Sequence, residues 1–225
     1  MREIEYNPIL TKHQKTLLAH FKRWSECTKF YITGGTALSA FYLRHRLSED
    51  LDFFFVDEVE IEPILTFLKS LPEVQDLNLE RQFDRKIFII RYEDAESLKV
   101  EFTKYPFKTI KPFKKVEGIQ VDSMPDILAN KLMALTDRKD AKDYVDIYFI
   151  LKESPNLSVY EVIEMTEQKF GIKGLGYILQ GRFLGCPEKG VELLNMKKDC
   201  QGKEMAAFFK GRARRLIRKS IEKEG

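Results

Sequence analysis

The sequence predicts an α+β protein, a mixed sheet with helices in the N-terminal half followed by a helical C-terminal domain. Three observations carry that expectation. A short strand, a double glycine, a short helix and an apolar strand follow one another between Lys29 and Val56. From position 74 to 121, β-rich runs alternate with polar turns. After Ser123 the apolar residues recur with the ~3.6-residue period of a helix. The expected domains are residues 1–121 and 122–225.

Taken in order, LTKHQKTLLAHFKRWSE places Leu17, Leu18, Phe21 and Trp24 at helical spacing and reads as an amphipathic helix. KFYIT is a short strand that ends at Gly34-Gly35, after which Thr36 is expected to cap a helix from Ala37 to about Arg44. DLDFFFV is the next strand, and EPILTFLKSL a helix closed by Pro72. VQDLNLERQF, RKIFIIRY and SLKVEFTKY form the antiparallel part of the sheet, and GIQVD adds a short strand. SMPDILANKLMAL opens with an S-x-x-D resembling a capping box, and KDAKDYVDIYFILK follows it. Further helices are expected over 158–170, roughly 188–198 and roughly 203–222.

Composition excludes several classes. With 225 residues, 44% hydrophobic and 32% charged, the chain has enough apolar material for a real core. No apolar run approaches the ~20 residues of a membrane span, and the N-terminus lacks the basic-then-apolar pattern of a signal peptide, so a cytoplasmic protein without membrane contact is expected. Three widely spaced cysteines without a CxxC pair argue against a disulfide framework and a cysteine-based zinc site. The three histidines show no HExxH pattern. A metal here would be oxygen-ligated, which favours Mg²⁺ or Mn²⁺. Of the net charge of +3, residues 203–225 contribute +5, leaving the rest at −2. A basic C-terminal segment suits a polyanionic partner, and equally a solvated helix face.

The chemistry concentrates in GGTALSAFYLRHRLSEDLDFFF. On a strand, Asp50 and Asp52 share one face, their Cα atoms about 6.6 Å apart, while Leu51, Phe53 and Phe55 point into the core. Two like charges in that position repel and lose hydration, and a divalent cation relieves both penalties. One or two such ions fit, because two-metal sites hold their ions roughly 3.5–4 Å apart. Gly34 and Gly35, at a strand-to-helix turn, let backbone N–H groups approach a phosphate. Phosphate at the glycines and metal at the aspartates describe a nucleoside triphosphate (NTP) site. Glu101, which shares a strand face with Lys99 and Thr103, is the best third carboxylate for the metal. GxxxxGK[ST] and GxGxxG are both absent. A phosphatase of the haloacid dehalogenase type also fits less well, because the apolar strand follows the DxD here and Phe54 stands where those enzymes carry Thr or Val.

A double glycine, a helix and then DxD resembles the polymerase-beta-type nucleotidyltransferase superfamily. The fuller string of GGTAL, HRLSEDLD, KVEF, K-x-x-A and R-x-x-x-KD-x-x-D resembles its AbiEii/AbiGii toxin-like nucleotidyltransferases, the toxin halves of bacterial toxin–antitoxin or phage-defence pairs. The resemblance runs from Gly34 to about Leu151. It implies a polymerase-beta-like mixed sheet, with Gly34, Gly35 and Thr36 on the triphosphate and Asp50 and Asp52 on Mg²⁺. It also implies that Lys131 and Asp143 serve nucleotide binding and catalysis, and that a cognate antitoxin protein is a partner. Lys142 stands where the family often has arginine, which is no equal exchange in a bidentate contact.

The helical half bears on this independently. At 100° per residue, Lys131 falls within the apolar stripe of Ile127, Leu128, Leu132 and Leu135. There it must snorkel to water or face a cleft between the domains, and methionine is expected to replace it at little cost in stability. Asp143 and Asp146 are i, i+3 neighbours above Ile147 and Ile150, with salt bridges to Lys139 or Lys142 as the plain structural reading. The activity these readings imply is Mg²⁺-dependent transfer of a nucleoside monophosphate (NMP) from an NTP to an acceptor hydroxyl, and the resemblance implies RNA, particularly tRNA, as one acceptor class, a protein hydroxyl being the other. Asp143 is a candidate base or metal-orienting residue, and Lys131 a candidate phosphate contact. The rival is an inactive nucleotidyltransferase fold that binds RNA or protein, to which an intact Asp50, Asp52 and Lys131 would be superfluous.

Overall fold

Branched and aromatic residues alternating with polar ones build a seven-stranded mixed sheet in the computed structural model, which describes residues 3–224, the last two by backbone alone. The strands are β1 (Tyr31–Thr33), β2 (Leu51–Phe55), β3 (Val74–Gln82), β4 (Arg85–Tyr92), β5 (Ser97–Lys104), β6 (Lys114–Val116) and β7 (Ile119–Val121). Their order is β3-β4-β5-β2-β1-β7-β6. β2 runs parallel to β5 and antiparallel to β1, while β1 runs parallel to β7. The remaining neighbours are antiparallel hairpins.

β6 is a strand that the sequence reading does not anticipate. It pairs with β7 across Glu117-Gly118, both at positive φ (49° and 95°), the geometry of a tight hairpin turn. Along β2 the burial alternates as expected: Leu51, Phe53 and Phe55 are buried, and Asp52 and Phe54 are partly open.

The buried sheet face packs on α1 (Lys12–Phe21) and α3 (Ile61–Lys69) through aromatic side chains. Phe21 lies 4.5 Å from Phe53, Phe53 stacks on Phe102 at 5.0 Å, and Trp24 stacks on Phe67 at 4.7 Å, between ring centroids. Contacts of that kind contribute roughly 0.5–1.5 kcal/mol each beyond the area they bury. Thr11 and Gln14 form a reciprocal capping box at the start of α1.

Two units divide the chain. The first takes residues up to Tyr42, Leu47–Phe107 and Pro112–Ser123; the second takes Leu43–Arg46, Lys108–Lys111 and everything from Met124 on. The second unit contains α4 (Met124–Asp137), α5 (Ala141–Glu153), α6 (Val159–Phe170), α7 (Leu175–Leu184) and α8 (Gly202–Glu224). Its core joins Tyr144, Phe183 and Phe209, with ring centroids 5.3 Å (Tyr144–Phe209) and 5.0 Å (Phe183–Phe209) apart.

The helix expected over 188–198 does not form. Only a 3₁₀ turn, Val191–Leu193, occurs there, and the chain then extends. Met196 bridges Arg46, and the amides of Lys197 and Lys198 donate to the carbonyl of His45. Pairing with Leu43–Arg46 overrides local helix propensity. Conversely, α7 forms although Gly176 and Gly181 lower its propensity, because Leu175, Leu179 and Phe183 bury one stripe. Among the described residues no helix is long and apolar enough to cross a membrane.

Candidate active site

In the first unit, β1 ends at Thr33 and the chain turns at Gly34, whose φ is +74°. A Cβ built there would lie 2.1 Å from Asp52 Oδ2. Only glycine meets both demands, one of backbone conformation and one of space. A five-residue helix, α2 (Gly34–Leu38), starts at once and passes into a π-helical turn over Ser39–Leu43. Thr36 is therefore not the N-cap that the sequence suggests. It lies inside the helix, fully buried, and its hydroxyl donates to the carbonyl of Asp50 and, at 3.4 Å, to that of Ser48. Gln14 Nε2 donates to the carbonyls of Ser48 (2.8 Å) and Glu49 (3.1 Å). These bonds fix the path of the main chain into β2.

Asp50 sits one residue before β2, and its Oδ2 is 3.1 Å from Lys99 Nζ. Both side chains of that pair are about one-third exposed, at 37% and 35%. Glu101 lies opposite Asp52 in the parallel β2–β5 register, on the same sheet face. Arg85 forks it: Nε is 2.5 Å from Oε1 and Nη2 is 2.6 Å from Oε2, while Thr103 donates to Oε1 at 2.7 Å. Burial alone would raise the Glu101 pKa, but Arg85 and Thr103 outweigh it and hold the carboxyl below its ordinary value. Glu101 in turn raises the pKa of Arg85, and Asp52 adds to that pull.

In the second unit, Lys131 on α4 is buried with its ammonium 2.8 Å from Asp143 and 2.7 Å from Asp146, both on α5. Arg138 adds a fork on Asp143, at 2.7 and 3.2 Å. Asp146 receives a second fork from Arg46, Nε at 2.7 Å and Nη2 at 2.8 Å, and lies 2.8 Å from His45 Nε2. Both aspartates are fully buried. Burial would push Asp143 and Asp146 up, yet Lys131 together with Arg138 or Arg46 holds each carboxyl down, Asp146 well below its ordinary value. Burial likewise pulls Lys131 down, and the two aspartates more than reverse it. His45 is pushed down by burial, which outweighs the pull of Asp146, and the positive charges of Arg46 and Lys131 lower it further.

This geometry revises three expectations. Lys131 does not snorkel to water, since two buried carboxylates hold it. The partners of Asp143 are Lys131 and Arg138, not Lys139 or Lys142. As a proton acceptor Asp143 is poorly suited, with both oxygens engaged and its pKa depressed.

A family model for the nucleotidyl transferase AbiEii toxin of type IV toxin–antitoxin systems matches residues 16–219. The chain belongs to this family. AbiEii membership makes it a nucleotidyltransferase. The uncharacterized protein aq_aa25 of Aquifex aeolicus (strain VF5) is 30% identical over 165 residues, covering 72% of this chain and 76% of that one. Among solved structures, JHP933 from Helicobacter pylori shares the fold at a TM-score of 0.62 and 18% identity, with 96% of each chain covered. MenT4, a nucleotidyltransferase toxin of Mycobacterium tuberculosis H37Rv, does so at 0.54 and 13%, over 95% of this chain and 88% of that one. The polymerase-beta-like mixed sheet with helices is thus the fold of this AbiEii chain.

Within that fold, Gly34, Thr36, Asp50 and Asp52 gather where β1 ends and β2 begins in the first unit, with Glu101 opposite Asp52 midway along β5. Lys131 and Asp143 belong to the second unit's buried cluster. Sequence reasoning placed Lys99 on the Glu101 face and His45, Arg46 and Arg138 within the motifs but gave them no partners, and it missed Gln14 and Arg85 altogether. Among the described residues, another ligand-like group, His13, Glu73 and Asp94, brings its ligand atoms within 4.8 Å of one another but already holds Lys12, 2.7 Å from Glu73.

Gly34→Ala is a direct test of the close approach. The substitution is expected to push Asp52 aside and to cost roughly 1–2 kcal/mol of backbone strain. A displacement near 1 Å at a reacting centre lowers transfer by about a hundredfold. Melting temperature and transfer rate on the same preparation check it, and full activity in the variant would refute the tight packing of Gly34 on Asp52.

Proposed function

We propose that this AbiEii chain transfers an NMP from an NTP to a hydroxyl of an RNA acceptor, in a reaction that depends on Mg²⁺ or Mn²⁺, and that it is the toxin half of a pair with a cognate antitoxin. The observation that carries the reading is the packing of Gly34 against Asp52, with Thr36 and Gln14 fixing the chain into Asp50. Asp50 and Asp52 fit a hard cation: they are partly open carboxylates two residues apart at the start of β2, with Asp52 packed against the Gly34 turn. When bound, the ion would neutralise charge on the α-phosphate and on the leaving pyrophosphate. The backbone at Gly34-Gly35 would receive the triphosphate. In the transfer the acceptor oxygen forms a bond to the α-phosphorus, the α–β bridging P–O bond breaks, and pyrophosphate leaves with that electron pair. The acceptor proton goes to solvent. Lys131 and Asp143 act together, Asp143 holding the ammonium in place.

The acceptor platform is α8. Met205, Ala206, Phe209, Ala213 and Leu216 are its buried stripe, Ile217 is half-buried, and Arg214, Arg215 and Arg218 are exposed. Lys219 lies over the Tyr160 ring, 3.8 Å from its centroid. Reversing Arg214, Arg215 and Arg218 to Glu is expected to weaken RNA binding and flatten its salt dependence, which falls by about 0.7–0.9 log units per neutralised phosphate per decade of salt. NTP binding should be unchanged. An identical salt slope in the triple variant would remove α8 from the platform.

The experiment that tests the function is incubation of the protein and Mg²⁺ with each α-³²P-labelled NTP and a bacterial cell extract. Label in RNA supports the reading. Label in protein alone would replace RNA by a protein hydroxyl as acceptor, and no label with any NTP would favour an inactive binding module.

A further inference from the structure

The geometry points to a divalent-cation site made by Asp50 and Asp52 alone, with Glu101 withheld from the metal by Arg85. The inference rests on the reading of Asp50 and Asp52 as metal ligands and concerns what stands beside them. Glu101 shares their sheet face and faces Asp52 in register, which is where a third ligand belongs. Yet both of its oxygens are occupied by the Arg85 fork, at 2.5 and 2.6 Å, and Oε1 also accepts from Thr103. The ligand oxygens of Asp50, Asp52 and Glu101 do not close to within 4.8 Å of one another, as those of His13, Glu73 and Asp94 do.

Lys99 and Arg85 hold their carboxylates with different strength. Lys99 meets Asp50 through one contact at 3.1 Å with both side chains about one-third exposed, an ion pair of the kind that contributes little and yields readily to a cation. Arg85 meets Glu101 through two parallel charge-assisted bonds, and the Glu101 side chain is only 7% exposed. Such a fork is among the strongest side-chain pairings. A hard cation therefore displaces Lys99 from Asp50 before it displaces Arg85 from Glu101. The guanidinium does for Glu101 what a second ion does in a two-metal site: it neutralises the carboxylate permanently. It comes from the first residue of β4, whose pairing with Thr103 brings Arg85 diagonally beside Glu101.

Binding of Mn²⁺ alone, followed by the EPR signal of the free ion, tests this on the full chain and three variants. Asp52→Asn is expected to weaken binding at least tenfold. Glu101→Gln is expected to leave the affinity within twofold of the parent, because Glu101 donates no ligand. Arg85→Gln, which releases Glu101, is expected to bind Mn²⁺ at least fivefold more tightly or to take up a second ion. Arg85 is 46% exposed, so that variant is the safer one to fold if the change at Glu101 is not tolerated. Weakening of fivefold or more in Glu101→Gln, or an unchanged affinity in Arg85→Gln, overturns the inference. Unaltered Mn²⁺ binding in Asp52→Asn overturns instead the reading of Asp50 and Asp52 on which it rests.

Discussion

Asp52→Ala is expected to lower the transfer rate by roughly three orders of magnitude, because a ligand of the proposed metal ion would contribute several kcal/mol of transition-state stabilisation. Its fold should survive. Asp52 is half-buried at the start of β2, and the strand is held from its other face by Leu51, Phe53 and Phe55. Two carboxylates there suggest mutual repulsion, and hence a stabilised variant. The structure reduces that gain, since Lys99 pairs with Asp50 and Arg85 lies within the field of Asp52. A change below about 1 kcal/mol, or roughly 2–4 °C in Tm, is expected. Transfer above about a tenth of the parent rate at saturating Mg²⁺ would remove Asp52 from the site.

Lys131→Met is expected to destabilise the second unit by about 3 kcal/mol, which reverses what the apolar stripe alone suggests. Methionine suits the stripe, but the substitution leaves Asp143 and Asp146 buried without the ammonium that they share. Breaking a buried pair from one side costs ~3–5 kcal/mol, and the low end applies because Arg138 and Arg46 remain. The pH dependence has a definite sign. Asp143 and Asp146 have pKa values lowered from 3.8, so their contribution is present above that value and is lost as pH falls through the folded-state values. Lys131 is raised from 10.5, so its contribution is present below that and is lost as pH rises through its folded-state value. His45, lowered from 6.5, adds stability above 6.5 that declines below it. The cluster is therefore at full strength between about pH 6.5 and 10.5. Urea unfolding of parent and variant at pH 8 measures the difference, and an equal or greater stability of Lys131→Met would contradict the buried cluster.

Much of this was legible in the chain because it depends on local spacing. The double glycine, the alternation through DLDFFF and the helical stripe around Lys131 are properties of neighbouring residues. What was not legible depends on register and on long-range pairing. Arg85 reaches Glu101 only because the β4–β5 hairpin sets Arg85 opposite Thr103. Arg46 and Asp146 are a hundred residues apart, and nothing in HRLSED announces that the arginine forks an aspartate on α5. The same long-range pull draws 194–198 out of a helix and onto His45 and Arg46. Thr36 was misread for a related reason: the helix begins at Gly34, so Thr36 lies inside it, and its hydroxyl donates to the distant carbonyl of Asp50.

The proposed reaction moves a nucleotidyl group with the help of Asp50 and Asp52. Parallel incubations with α-³²P and γ-³²P forms of the NTP that labels best, with Mg²⁺ and acceptor, test it most directly. The account predicts that α-label enters the acceptor, that γ-label leaves as pyrophosphate, and that EDTA or Asp52→Ala abolishes both. Transfer of the γ-label to the acceptor, or α-label incorporation that persists in Asp52→Ala, would contradict it.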